Sequence, residues 1–161
     1  MSKLKSKLDE IRKLLDDIES TVTIEKGDNN LQTRAFIYPI INPIVSSGYG
    51  MRFHPVKKIM KPHNGIDFGI KCGEPIFASQ DGEVIFSGVA GDYGNTVILQ
   101  HANNMRTYYC HCSRIFVKVG RFVEQSDVLA LVGTTGCSTG CHLHFGMKVE
   151  NTYVNPLDFV S

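Results

Sequence analysis

Cys141-His142-Leu143-His144-Phe145 sets two imidazoles two residues apart, directly after the glycine-rich run Val132 to Gly140. Leu143 and Phe145 alternate with the histidines, the period-2 pattern of a strand with one face in a core. On such a strand side chains two apart share a face, so His142 and His144 look toward one place. Imidazole is a common zinc ligand, and a catalytic zinc takes three protein donors while keeping a fourth position open. Upstream, Pro62-His63-Asn64-Gly65-Ile66-Asp67-Phe68-Gly69 supplies a further imidazole and a carboxylate, His63 and Asp67, with a glycine between them that lets the chain curl so that the two converge. Taken alone, an H-x-x-x-D or an H-x-H spacing is a weak signal, because a half-buried strand also carries solvent-facing histidines.

The surrounding chain has strand-and-turn texture. From Phe36 onward lie 14 of the 15 glycines, and the apolar runs are short and rich in Val, Ile, Phe and Tyr. Strands are expected over Pro75 to Ala78, Gly82 to Gly88, Asn95 to His101, Arg106 to Cys112, Asp127 to Val132 and Leu143 to Val149. Turns such as Gly91-Asp92-Tyr93-Gly94 and Ala102-Asn103-Asn104 join them. Loops this short leave no room for helical crossovers, so the expected core is all β.

The N-terminal segment differs. Leu4, Leu8, Ile11, Leu15, Ile18 and Val22 recur at spacings of four and three, with charges between them, which predicts an amphipathic helix from about residue 3 to 24. Gly27-Asp28-Asn29-Asn30 reads as its cap and linker. The expected division is a helix and linker over 1–30 and one globular domain over 31–161. The helix suits docking or self-association, although so few heptads are marginal alone.

Composition narrows the partners. With 161 residues the chain holds one ordinary domain, and a net charge of +1 gives no field that would recruit nucleic acid or an anionic membrane. Apolar runs such as Ala35 to Ile41 fall far short of the roughly 20 residues that span a bilayer. The basic N-terminus is not followed by an apolar signal core, so no signal peptide is expected. Five cysteines, Cys72, Cys110, Cys112, Cys137 and Cys141, are an odd number in a chain large enough to fold without staples. Mostly reduced thiols are therefore expected, with a bond between Cys137 and Cys141, neighbours in one loop, left as an open alternative. Cys110 and Cys112 should point away from the face used by His111, and His54 and His101 read as structural or loop histidines.

Three motifs in order, His63-Asn64-Gly65-Ile66-Asp67-Phe68-Gly69, Tyr108-Tyr109-Cys110-His111-Cys112-Ser113 and Gly133 to Phe145, resemble the lysostaphin-type or LytM-like zinc metalloendopeptidases, which are peptidoglycan hydrolases. The likeness extends from about Pro39 to Val160 and includes Ser47-Gly48-Tyr49-Gly50-Met51-Arg52-Phe53-His54-Pro55 and Asp92-Tyr93-Gly94-Asn95-Thr96-Val97. It implies a mainly β fold, a small antiparallel β-sheet domain with a zinc-containing groove, and one zinc per chain held by His63, Asp67 and His144. It also implies that His111 and His142 are catalytic histidines beside the metal, and that the substrate is the peptide part of bacterial peptidoglycan, cut by a metal-activated water. The expected place of action is then the bacterial cell wall, whether the protein is released, virion-borne or trimmed from a longer exported protein. The chain departs from the family at Cys141, where Pro is frequent, at Gly146, where Glu is frequent, and at Ser126, where a turn glycine is usual. None of the three removes a ligand.

Other readings are weaker. Some proteins of this fold have lost ligands and serve as binding or activator modules for other wall hydrolases; here all three ligand positions and both histidines are present. A lipoyl-like carrier, suggested by the hairpin texture of Val119 to Val132, lacks the hairpin-tip lysine and leaves the histidines unexplained.

Overall fold

A computed structural model describes Arg34–Ser161. The helix expected over residues 3 to 24 and its linker lie outside the described residues. The strands are β1 (Val45–Ser47), β2 (Gly50–Phe53), β3 (Met60–His63), β4 (Gly65–Gly69), β5 (Pro75–Phe77), β6 (Gly82–Val89), β7 (Asn95–Gln100), β8 (Met105–Ile115), β9 (Phe122–Val123), β10 (Val128–Val132), β11 (His142–Val149) and β12 (Thr152–Val154). All six expected strands are present. The structure adds β1 to β4, β9 and β12, which are short or interrupted by glycine and proline and so carry little period-2 signal.

The main sheet runs β1-β4-β11-β8-β7-β6-β9, with β10 on β8 and β5, and β12 on the end of β11; β2 and β3 form a separate ribbon. Every pairing between strands is antiparallel. The fold is the mainly antiparallel β architecture expected from the sequence.

Alternation decides which face is which. In β11, Leu143, Phe145 and Met147 are wholly buried, and Ile66 and Phe68 of β4 and Tyr109 of β8 join them in one core. Burying each such side chain contributes about 1.5–3 kcal/mol before entropy is counted. The tyrosine hydroxyl is not stranded there: it accepts from the Ser79 amide at 3.0 Å and from Thr107 Oγ1 at 2.9 Å. The opposite face of β4 and β11 carries Gly65, Asp67 and Gly69 against Gly146, His144 and His142.

One break in alternation matters. Between the pairs Val97–Tyr109 and Asn95–Cys112, strand β8 advances three residues while β7 advances two, which is a β-bulge. His111 lies inside it with φ +62°. Cys110 pairs with His144 and therefore lies on the row of the site, contrary to simple alternation from His111. Both Cys110 and Cys112 are buried, as expected, and burial pushes the Cys112 thiol up to about 12.

Candidate metal centre

Asp67 of β4 and His144 of β11 are direct cross-strand partners, so their side chains rise from one face side by side. His63, the last residue of β3, comes in from the ribbon. The Asp67 Oδ1 lies 2.9 Å from His144 Nδ1 and 3.2 Å from His63 Nε2, and those two ring nitrogens are 3.0 Å apart. All three residues are buried. His63 Nδ1 lies 2.7 Å from the Gly48 carbonyl, which cannot donate, so Nδ1 carries the proton and Nε2 turns a lone pair toward the other two donors.

This triangle fits a small cation. Donors bound tetrahedrally at about 2.0–2.1 Å stand roughly 3.3 Å from one another, close to the spacing here. Without a proton or a cation between them, two imidazole lone pairs and a carboxylate would repel at such range. The cluster can therefore hold a metal ion. Burial works to raise the Asp67 carboxyl, but contacts with His144 and His63 overcome it and hold the group far below the usual carboxylate range. Burial depresses His144, against the pull of Asp67.

Two more imidazoles face the cluster. His142 Nε2 is 3.8 Å from Asp67 Oδ1, while its Nδ1 lies 2.9 Å from the Gly140 carbonyl and 3.2 Å from Ser138 Oγ. The bulge turns His111 so that its Nδ1 donates to the Thr135 carbonyl at 2.7 Å, and its ring centre is 4.7 Å from that of His142 and 6.1 Å from that of His144. Burial lowers His111 to about 4, a shift that the Thr135 carbonyl opposes and the neighbouring histidines reinforce, so this ring is neutral near pH 7. Backbone carbonyls thus hold His63, His111 and His142 by Nδ1 and leave each Nε2 directed inward. Asp67, His111, His142 and His144 border a cavity of about 610 Å³.

Two expectations are overturned at this site. Gly65 does not serve to curl the chain: it sits in β4 without a positive φ, and a Cβ there would lie 2.5 Å from the Phe145 carbonyl oxygen and 2.9 Å from the His144 ring. Its role is to give the His144 imidazole room. The five cysteines are not all thiols. A disulfide joins Cys141 to Cys72, with Cα atoms 5.2 Å apart, because the pairing of His142 with Gly69 brings the chain ends beyond β4 and before β11 together. Cys137 is instead tied to the neighbouring loop by its amide on the Asp92 carbonyl. Of the two remaining histidines, His101 is structural, held by the Asp81 carbonyl and Thr107 Oγ1, each at 2.7 Å. His54 accepts the amides of Val56 and Lys57 in a turn and also borders the cavity.

Two further side chains meet the site. Tyr93 stacks on the His144 ring with centroids 5.3 Å apart, and Arg52 Nη2 approaches Asp67 Oδ2 at 3.4 Å. Only their nearness in sequence to glycines and histidines marked them.

Residues 61–156 match the profile of peptidase family M23. The chain is 38% identical over 135 residues to the peptidoglycan DD-endopeptidase ShyA of Vibrio cholerae, an alignment covering 83% of this chain and 31% of that protein. It thus spans less than a third of that relative's length. Among solved structures, a zinc-containing peptidase from Vibrio cholerae superposes with a TM-score of 0.71 at 38% identity, over 76% of this chain and 39% of that one. The catalytic domain of lysostaphin from Staphylococcus simulans does so with a TM-score of 0.67 at 30% identity, over 73% of this chain and 91% of that one.

Proposed function

This chain belongs to peptidase family M23, and from that premise we propose that it is a zinc-dependent endopeptidase hydrolysing peptide bonds in bacterial peptidoglycan. The observation that carries the reading is the convergence of His63, Asp67 and His144 within 2.9–3.2 Å of one another, with His111 and His142 aimed at the same point. In this reading His63 Nε2, Asp67 Oδ1 and His144 Nδ1 hold one zinc per chain. Bound zinc supplies Lewis acidity, lowering the pKa of water to about 7 and polarising the amide carbonyl.

The chain's own groups then manage protons. Because carbonyls fix Nδ1–H on His111 and His142, the bare Nε2 of either ring is an acceptor. A water between the rings gives its proton to one Nε2 as its oxygen adds to the amide carbon. The ring that took that proton, now charged, returns it from Nε2 to the leaving nitrogen as the C–N bond breaks, while the other ring's Nε2 accepts a hydrogen bond. Tyr93, stacked on His144, shields that ligand from solvent and fixes its plane. No helix of the described residues is long and apolar enough to cross a membrane, and the proposed place of action is the cell wall. The presence of all three donors and both histidines favours this reading over a binding or activator module.

The test is hydrolysis of purified sacculi of defined cross-link chemistry, with and without a zinc chelator, followed by identification of new amino termini. Chelator-sensitive release of peptides is expected. A zinc-loaded protein that releases none would overturn the proposal.

A further inference from the structure

The β2–β3 ribbon brings charge to the cleft. In its register Gly50 faces His63 and Arg52 faces Lys61, so both cations share the face that presents His63 to the metal centre. Both are half-buried, while Met51, Phe53, Met60 and Pro62 on the other face are exposed. Both also border the cavity beside Asp67 and His142. Like charges directly opposite each other in an antiparallel pair are destabilising, so this arrangement needs compensation.

The described residues supply too little. Arg52 Nη2 lies 3.4 Å from Asp67 Oδ2, with its side chain 26% exposed, but that carboxylate is already engaged by His63 and His144. Asp92, the other acid lining the cavity among the described residues, is bound by Lys57 at 2.5 Å. Lys61 has no carboxylate within ion-pair distance among the described residues. His54 registers the excess: its pKa is lowered by burial first and then by the charges of Arg52, Lys61 and Lys57.

We infer that Arg52 and Lys61 form a carboxylate-binding subsite on the ribbon side of the cleft, which receives a free carboxylate of the peptide beside the bond to be cut. The inference rests on the endopeptidase reading above. Arg52 keeps one guanidinium nitrogen on Asp67 and has further donors in its fork for an incoming carboxylate, and Lys61 adds a second charge from across the ribbon. Peptides whose carboxyl group at this position is amidated, or whose cross-bridge is built of glycine alone, lose this anchor.

A D,D-cross-linked muropeptide dimer with a free carboxyl beside the cross-link, and the same dimer amidated there, test the subsite. The wild type should cleave the free acid with kcat/KM about tenfold higher, chiefly through KM. Lys61→Met should bring the ratio to within twofold, and Lys61→Arg should restore it. Calorimetric binding of both dimers to the zinc-loaded His142→Ala protein supplies a readout independent of turnover. Preferential binding of the free acid that Lys61→Met abolishes in this background supports the subsite even where the wild type cleaves neither dimer, in which case the endopeptidase reading alone falls. Equal rates and equal affinities for the two dimers, or a preference that survives Lys61→Met, would overturn the subsite.

Discussion

His63 Nε2 and His144 Nδ1 face each other 3.0 Å apart, although 81 positions separate the residues in the chain. The Gly48 carbonyl fixes the proton of His63 on its far nitrogen, so the near one offers a lone pair that could ligate a metal. His142, two residues before His144 and on the same face, turns its Nε2 to the same carboxylate from 3.8 Å. Under the proposed roles, ligation and proton transfer are separable by substitution.

His144→Ala should lose both metal and activity, because it removes one of three protein donors. His142→Ala and His111→Ala should retain close to one zinc per chain yet lose about 10²–10⁴ in rate, the usual worth of a general acid or base. Metal analysis beside turnover on each variant checks this. An empty site in His142→Ala with a loaded one in His144→Ala would reverse the assignment.

Gly65→Ala should disturb the centre without touching a donor. A Cβ would press on the Phe145 carbonyl and the His144 ring at 2.5 and 2.9 Å. Backbone cannot yield as a flexible side chain does, so a cost of about 1–3 kcal/mol is expected. At about 2–4 °C per kcal/mol, Tm should fall by roughly 2–12 °C, with weaker zinc binding in a chelator competition. A Tm and zinc affinity equal to wild type would show that the sheet absorbs the methyl group.

Much of this was legible in sequence because the informative residues are local. Leu143 and Phe145 alternate with His142 and His144 within five residues, and that pattern alone gave a strand and its two faces. The long strands were visible for the same reason. The ribbon of β2 and β3 was not, since Gly50 and Pro62 break its pattern and its outer face is apolar. The Cys72–Cys141 bond spans 69 positions and follows only from the β4–β11 register, which no local signal encodes. Arg52 was hidden similarly, because its tie to Asp67 depends on how the ribbon lies against the sheet.

The disulfide should stabilise the domain. Closing a loop of 69 residues removes unfolded-state entropy worth about 4 kcal/mol in the chain-entropy account. Cys72→Ser, or reductant with zinc buffered, should therefore lower Tm by about 10 °C. Scanning calorimetry measures it, and a shift below about 2 °C would mean that the bond adds little to the folded state.

Acid should expose the cost of the buried His101. Burial lowers its folded pKa below the model-compound value of 6.5, against the pull of Asp81. Above that value both folded and unfolded forms are neutral and the residue contributes no pH dependence. As pH falls below 6.5 the unfolded chain takes up the proton first, so stability falls with pH until the folded imidazole also titrates. Urea midpoints between pH 7 and 5 should decline less in His101→Gln than in wild type. Parallel slopes would place the acid sensitivity at other groups.

The extra residue in β8 makes the position of His111 a matter of counting. Three residues of β8 span what two of β7 span, and that surplus swings this imidazole out of the core-facing row. Substitutions at Cys110 or Cys112 change packing but preserve the count. Deleting Cys110 would restore flat pairing and shift the His111 ring onto the row that Cys110 holds opposite His144, out of reach of its Thr135 partner. The active face therefore tolerates changes of letter in this strand far better than changes of length. Lineages that vary here are expected to do so by exchange, with insertions and deletions confined to the turns.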